Sequence, residues 1–184
     1  MLLALGTFLS ARDDVLRTVV TGALRSTTRT ALIVSAGGRT DELADLAAED
    51  VVIAPSVPQQ ALLPHVDAMV HHGGNNSFTE CLRSGVPALI LPFSSDQFAI
   101  ARDAERLGVG LVRDPNALHP GDIPRTLDTL LTVTAPAMAG WARALDASGP
   151  GHAAARLLEV MGREGPRVRI AQPPTDHRRH SALE

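Results

Sequence analysis

Between Asp67 and Gln97 the chain passes through a short apolar run (Asp67-Ala-Met-Val-His71), a Gly73-Gly74 turn, a helical stretch from Asn76 to Ser84, and a second apolar run from Ala88 to Leu91 set off by Pro87 and Pro92. Two strands joined through a helix run parallel, because an antiparallel pair needs only a short turn. Leu2 to Leu5, Thr30 to Ser35, Val51 to Ala54, and Val109 to Val112 read as further buried strands, with Val66 to His71 as the outer limits of the first run. Asp13 to Arg25, Asp41 to Ala48, Gln59 to Leu63, and Ser95 to Leu107 read as helices or helical turns between them. The expectation is an α/β fold: a Rossmann-like parallel sheet of about six strands with helices on both faces. Pro115, Pro120, Gly121 and Pro124 then mark a loop, and extra C-terminal helices are predicted at Ile123 to Thr132, Ala137 to Leu145, and His152 to Met161.

Ligands of open parallel sheets bind at the carboxyl ends of the strands. There the helix that follows Gly73-Gly74 presents N–H groups without intrahelical partners, and these attract an anion such as a phosphate. The macrodipole adds about 0.3–1 kcal/mol, so charge-assisted hydrogen bonds of about 1.5–3 kcal/mol each must supply the rest. His72, Asn75, Asn76 and Ser77 are the side chains at hand. Glu80 falls one turn further on, where a carboxylate accepts hydrogen bonds from a ribose diol. Asp96 and Gln97 follow the next strand on the same rim, at a height suited to sugar hydroxyls.

These residues carry a resemblance. His72-Gly-Gly-Asn-Asn-Ser-x-x-Glu80, then Gly85-Val-Pro87, Pro92 and Asp96-Gln97, resembles the signature of nucleotide-sugar glycosyltransferases of the GT-B fold, notably the plant, UDP-glucuronosyl and antibiotic-modifying enzymes. Val57-Pro58-Gln59 with Leu62-Leu63 is similar to the segment that lines the nucleobase in that family. The likeness runs from about Leu2 to Met161 and corresponds to the second of the family's two similar-sized domains, one half of a GT-B fold. It implies that His72, Asn76 and Ser77 hold the diphosphate, with His72 stabilising the leaving group, while the helix start itself adds Gly73, Gly74 and Asn75. It further implies Glu80 at the ribose, Ser56, Val57 and Gln59 at the base, and Asp96 with Gln97 at the sugar. The family's general base is a His of the other domain, so none is assigned to this chain.

The activity so implied is inverting transfer from a UDP-sugar, with a TDP-sugar as the other donor, to a small-molecule acceptor, as in natural-product glycosylation. No Asp-x-Asp occurs, so no metal or other cofactor is expected. Many relatives that use TDP-sugars carry a small or hydroxyl residue where this chain has Glu80, and a 2′-deoxyribose offers a carboxylate one hydroxyl fewer; this favours UDP. Ser56 stands where the family often has a base-stacking Trp, which leaves base identity open. The implied partner is an N-terminal acceptor-binding domain or subunit, and the chain by itself is expected to be inactive. The alternative is a non-catalytic donor-binding subunit that needs a separate acceptor-binding chain, as in the two-chain enzyme that extends dolichol-linked oligosaccharide.

Other classes find less support. There is no G-x-S-x-G elbow, no Walker A loop, and no G-x-G-x-x-G fingerprint, and the acidic catalytic set of sugar-nucleotide epimerases is not evident. All 17 basic residues are Arg, yet they form no basic face with aromatic interleaving, so no nucleic-acid partner is expected. No apolar run approaches a membrane span, and Met1-Leu-Leu-Ala-Leu is too short for a signal core, which with the single Cys81 points to the cytoplasm. At 184 residues the expectation is one donor-binding domain over 1–165 and a disordered tail over 166–184. Gly6-Thr7 closes the first strand on the ligand rim, where Thr7 either touches the diphosphate or sugar or belongs to a plain turn; Gly37-Gly38 is read as a strand-end turn, His65, His119 and His152 as surface or interface residues, and Trp141 as core or an interdomain contact.

Overall fold

A computed structural model describes residues 1–6, 13–26, 31–147 and 149–162. Thr7 and the segment 166–184 lie outside the described residues. Two units are distinguished, Met1–Ala147 and the segment from Ser148 onward.

The first unit is built on six strands, β1 (Leu2–Ala4), β2 (Leu32–Ser35), β3 (Val51–Ala54), β4 (Met69–His71), β5 (Ala88–Ile90) and β6 (Gly110–Val112). All pair in parallel, in the order β3-β2-β1-β4-β5-β6. The chain therefore moves outward from β1 in one direction, then returns to start β4 on its other side. The crevice at that reversal, above the carboxyl ends of β1 and β4, is where open α/β sheets take ligands. Ala4 pairs with His71 across this point.

Period-two alternation sends neighbouring strand residues to opposite faces. Leu3, Val34, Val70 and Leu89 enter one apolar layer with Val15, Leu16 and Val19 of helix α1 (Asp13–Leu24). Leu2, Met69, Ala88 and Ile90 enter the other, with Leu63, with Cys81 and Leu82 of helix α3 (Asn75–Ser84), and with Ala101 and Ala104 of helix α4 (Gln97–Arg106). A short helix α2 (Gln59–Leu62) precedes Leu63. Cys81 is buried and its thiol donates to the Met69 sulfur at 3.4 Å, and burial followed by the nearby Glu80 charge pushes the thiol up to about 12. As a thiolate is the reactive form, Cys81 is a packing residue.

Three sequence expectations are corrected. The segment predicted as a helix from Asp41 to Ala48 forms a 3-10 helix, Asp41–Leu46, preceded by another at Gly37–Arg39. Helix α3 begins at Asn75, one residue earlier than expected, with Gly74 as its N-cap. The two helices expected at Ile123 to Thr132 and Ala137 to Leu145 are one, α5 (Ile123–Ala147), with Pro136 inside it. An interior proline costs about 3 kcal/mol. The buried residues Ile123, Leu127, Leu130, Thr134 and Met138 follow a helical spacing on both sides of it, and the Thr134 hydroxyl donates to the Leu130 carbonyl. Packing along that stripe outweighs the lost backbone bond.

The second unit contains α6 (Pro150–Gly162), which exposes Leu157, Leu158 and Val160. No helix among the described residues is long and apolar enough to cross a membrane.

Candidate functional site

Every residue expected at the ligand, apart from Thr7, falls on the strand-end rim or on α2 and α3 beside it. The turn that leads from β4 into α3 is the centre. Gly73 adopts φ +89°, and a methyl group built there would lie 3.1 Å from the Gln97 carbonyl oxygen and from an Ile90 methyl. Gly74 is extended, and no side chain caps the first turn of α3, so its free N–H groups face the rim. At its far end α3 stops at Gly85, φ +68°, whose N–H donates to Leu82 while Val86 N–H donates to Cys81.

His72 sits between two glycines. A Cβ at Gly6, φ +79°, would lie 2.8 Å from its Cε1, and a Cβ at Gly74 would lie 2.5 Å from its Nε2. The ring is half-buried, and its Nδ1 is fully covered with no hydrogen-bond partner among the described residues. Desolvation holds His72 below the usual imidazole range, while the carboxylate of Asp96 pulls the other way. The imidazole is thus largely neutral, adjacent to the free N–H groups of α3, and balanced so that a nearby anion would draw a proton onto it.

The sugar-side loop is bent onto the same turn. Ser95 is the only described non-glycine residue with positive φ, 51°, and this strained step leads into Asp96. Asp96 makes no side-chain cap bond to α4, leaving its carboxylate for other partners. Gln97 is partly committed: its Oε1 accepts from the N–H groups of Phe93 at 2.8 Å and Ser94 at 3.2 Å. What remains is its amide NH2.

Between α2 and α3, one side chain joins segments far apart in sequence. The Gln59 amide donates to Ser77 Oγ at 3.2 Å and to Glu80 Oε2 at 2.6 Å. Gln60 donates to the other oxygen, Glu80 Oε1, at 2.8 Å. Each carboxylate oxygen of Glu80, the residue expected at the ribose, thus holds a glutamine amide. Val57 is half-buried and Ser56 exposed beside it. A cleft of about 260 Å³ opens next to this cluster, lined by Gln60, Leu63, Glu80, Arg83 and Ser84.

Sequence reasoning missed two participants, Gln60 and His71. Gln60 follows Gln59 directly, and a second amide donor one residue on was a readable signal. His71 is fully buried, its Nδ1 accepts the Gly73 N–H at 2.9 Å, and its Nε2 has no partner among the described residues. Burial, assisted by the neighbouring His72, lowers its pKa from 6.5 to about 3. Between those two values it stays neutral in the folded chain where an unfolded one would be protonated. The sign is fixed by linkage: this contribution is fully present above pH 6.5 and is lost as pH falls towards about 3. Urea titrations at pH 7 and pH 5 should differ by about 2 kcal/mol from this group, at about 1.4 kcal/mol per pH unit, and His71→Leu should flatten the dependence. An unchanged slope in that variant would show that His71 does not titrate in this way.

Among the described residues no three His, Cys, Asp or Glu side chains converge as a metal site.

Residues 27–150 match the family described as "Erythromycin biosynthesis protein CIII-like, C-terminal domain". A sterol 3-beta-glucosyltransferase of Aspergillus fumigatus is 39% identical over 103 residues, 52% of this chain and 7% of that protein. The crystal structure of the glycotransferase of kitacinnamycin superposes with a TM-score of 0.75 at 29% identity, over 86% of this chain and 42% of its own. The glycosyltransferase VinC, solved in complex with DTDP, gives a TM-score of 0.70 at 26% identity, over 89% of this chain and 41% of its own. This chain therefore spans less than half the length of each of these relatives.

Proposed function

Since this chain belongs to the family of Erythromycin biosynthesis protein CIII-like C-terminal domains, the C-terminal domain of GT-B glycosyltransferases, we propose that it binds the sugar donor as a nucleoside diphosphate conjugate, UDP-sugars ahead of TDP-sugars. It does so as the donor half of an inverting, metal-independent transferase acting on a small-molecule acceptor.

The observation that carries this reading is the Gln59 amide, which bonds to both Ser77 and Glu80. Base, phosphate and ribose positions expected from two separate sequence segments are thereby one connected surface. The diphosphate lies at the open first turn of α3 beside His72. The ribose reaches Glu80 by displacing the exposed Gln60 amide, and the sugar lies towards Asp96 and the NH2 of Gln97. As the acceptor hydroxyl attacks the anomeric carbon, the bond to the diphosphate oxygen breaks and charge builds on the leaving group. Donors already aimed at that oxygen stabilise it without reorganisation. The α3 N–H groups and a proton held on His72 supply them.

Calorimetry on chelator-treated chain tests the reading. UDP and a UDP-sugar are expected to bind with no metal added, and binding that appears only when Mg²⁺ or Mn²⁺ is restored would refute metal independence. Absence of binding by UDP, TDP and their conjugates alike would refute the donor-site reading itself. Two substitutions divide the site further. Glu80→Ala should weaken UDP, whereas Asp96→Ala should leave UDP unchanged and weaken only the conjugate. A buried hydroxyl left without its partner costs about 1–3 kcal/mol, so each loss should be about 5- to 150-fold. Equal weakening of UDP by both would overturn the assignment of ribose and sugar sides.

A further inference from the structure

We propose that His71 is a positioning residue for the diphosphate site: its Nδ1 holds the Gly73 N–H and so sets the left-handed turn from which His72 and the start of α3 are presented. This rests on the donor-site reading above.

The geometry excludes a simple packing role. His71 is on β4 with its ring on the face shared with Met69, a layer otherwise filled by apolar side chains. There it is fully buried, and Nε2 has no hydrogen-bond partner among the described residues. Because the Gly73 N–H points at Nδ1, the ring proton must be on Nε2, and that N–H is the orphan. A leucine of similar volume would carry no such penalty. What only the imidazole offers here is the acceptor at Nδ1.

That acceptor acts where the backbone has least freedom to move. Gly73 at φ +89° is bounded by the Gln97 carbonyl and Ile90 on one side, while Gly74 is bounded by the His72 ring. The Gly73 N–H cannot join the β4 ladder in this conformation, and buried N–H groups are rarely left without an acceptor. If His71 releases it, the turn relaxes, and the Gly74 to Ser77 N–H groups move with it. The nucleoside end, held by Gln59, Gln60 and Glu80, does not depend on that bond.

The test compares two ligands across three variants of the full chain: UDP by calorimetry, and uridine, which lacks phosphate, by NMR titration. His71→Asn keeps an acceptor near the Nδ1 position; His71→Gln places its polar atoms further out, and His71→Leu has none. The expected result is that Leu and Gln weaken UDP by about tenfold or more, within the range for one buried donor left unsatisfied, while uridine changes less than about twofold. Asn should retain UDP affinity within about threefold. Parallel loss of uridine and UDP, or an Asn variant as weak as Leu, would reduce His71 to a structural residue. Should Leu and Gln fail to fold, the wild-type chain still decides: ¹⁵N imidazole shifts must show the Nε2–H tautomer at neutral pH, and the Gly73 amide must exchange slowly. A protonated Nδ1 or a fast Gly73 amide overturns the proposal. Wild-type chain that binds uridine and UDP with equal affinity would remove the diphosphate site and the proposal together, whereas wild-type UDP binding that survives His71→Leu removes only the proposal.

Discussion

Supplied with a UDP-sugar and a hydroxyl acceptor, the 184-residue chain by itself is expected to bind the donor and transfer nothing. Among the described residues, neither histidine of the rim is placed to take a proton from an attacking hydroxyl. His72 is wedged against Gly6 and Gly74. His71 is fully buried with its acceptor nitrogen committed to Gly73. Holding two reactants in near-attack geometry is worth about 7–11 kcal/mol, or roughly five to eight orders of magnitude in rate. Relatives of known structure are more than twice as long, with this chain covering 42% of one and 41% of another. Adding a matching acceptor-binding half, in trans or as a fusion, should restore transfer, followed by product mass. Robust turnover by the purified chain, abolished by His72→Ala, would refute the half-enzyme reading.

With transfer restored in that way, His72→Ala is expected to lower kcat/KM by roughly 10²–10³, the usual cost of deleting one preorganised donor. The fall should shrink as pH rises, because the wild type then loses a protonated imidazole that the variant never had. Burial holds the free imidazole below its usual range, and a bound diphosphate raises it, so binding takes up a proton and weakens as pH rises. Calorimetry in buffers of different ionisation enthalpy should detect that uptake near neutral pH, and His72→Ala should lose it. Near wild-type turnover in the variant, with the proton uptake intact, would make His72 a spacer between two glycines and nothing more.

Legibility followed the range of the interactions involved. The Gly73-Gly74 turn, the helix after it and the strand end at His71 were readable because glycine, proline and apolar periodicity act within a few residues. Ser77, Glu80, Asp96 and Gln97 were readable because their places on the rim follow from strand ends and helix turns. The break expected between Thr132 and Ala137 does not occur: local propensity disfavours a helix at Pro136, and the buried stripe Leu127, Leu130, Thr134 and Met138 carries α5 through it. That the Gln97 carbonyl accepts the Phe93 and Ser94 N–H groups was not legible, because the loop that brings them together includes Ser95 at positive φ.

The sequence by itself determined the alternation of strand and helix, hence a parallel sheet, and the order in which His72, Glu80 and Asp96 meet its rim. Tertiary structure alone decided which of those residues are free to act. Glu80 is held by Gln59 and Gln60 from 21 and 20 residues away, and His72 is caged by Gly6 across the β1–β4 crevice. The two adjacent histidines, alike as letters, became a buried neutral acceptor and a half-buried group facing Asp96. Alternation along a strand says only that they point to opposite faces. Which face meets the apolar layer and which meets the crevice depends on what the rest of the chain packs against them, and it is desolvation, with the charges and hydrogen-bond partners so gathered, that sets their chemistry.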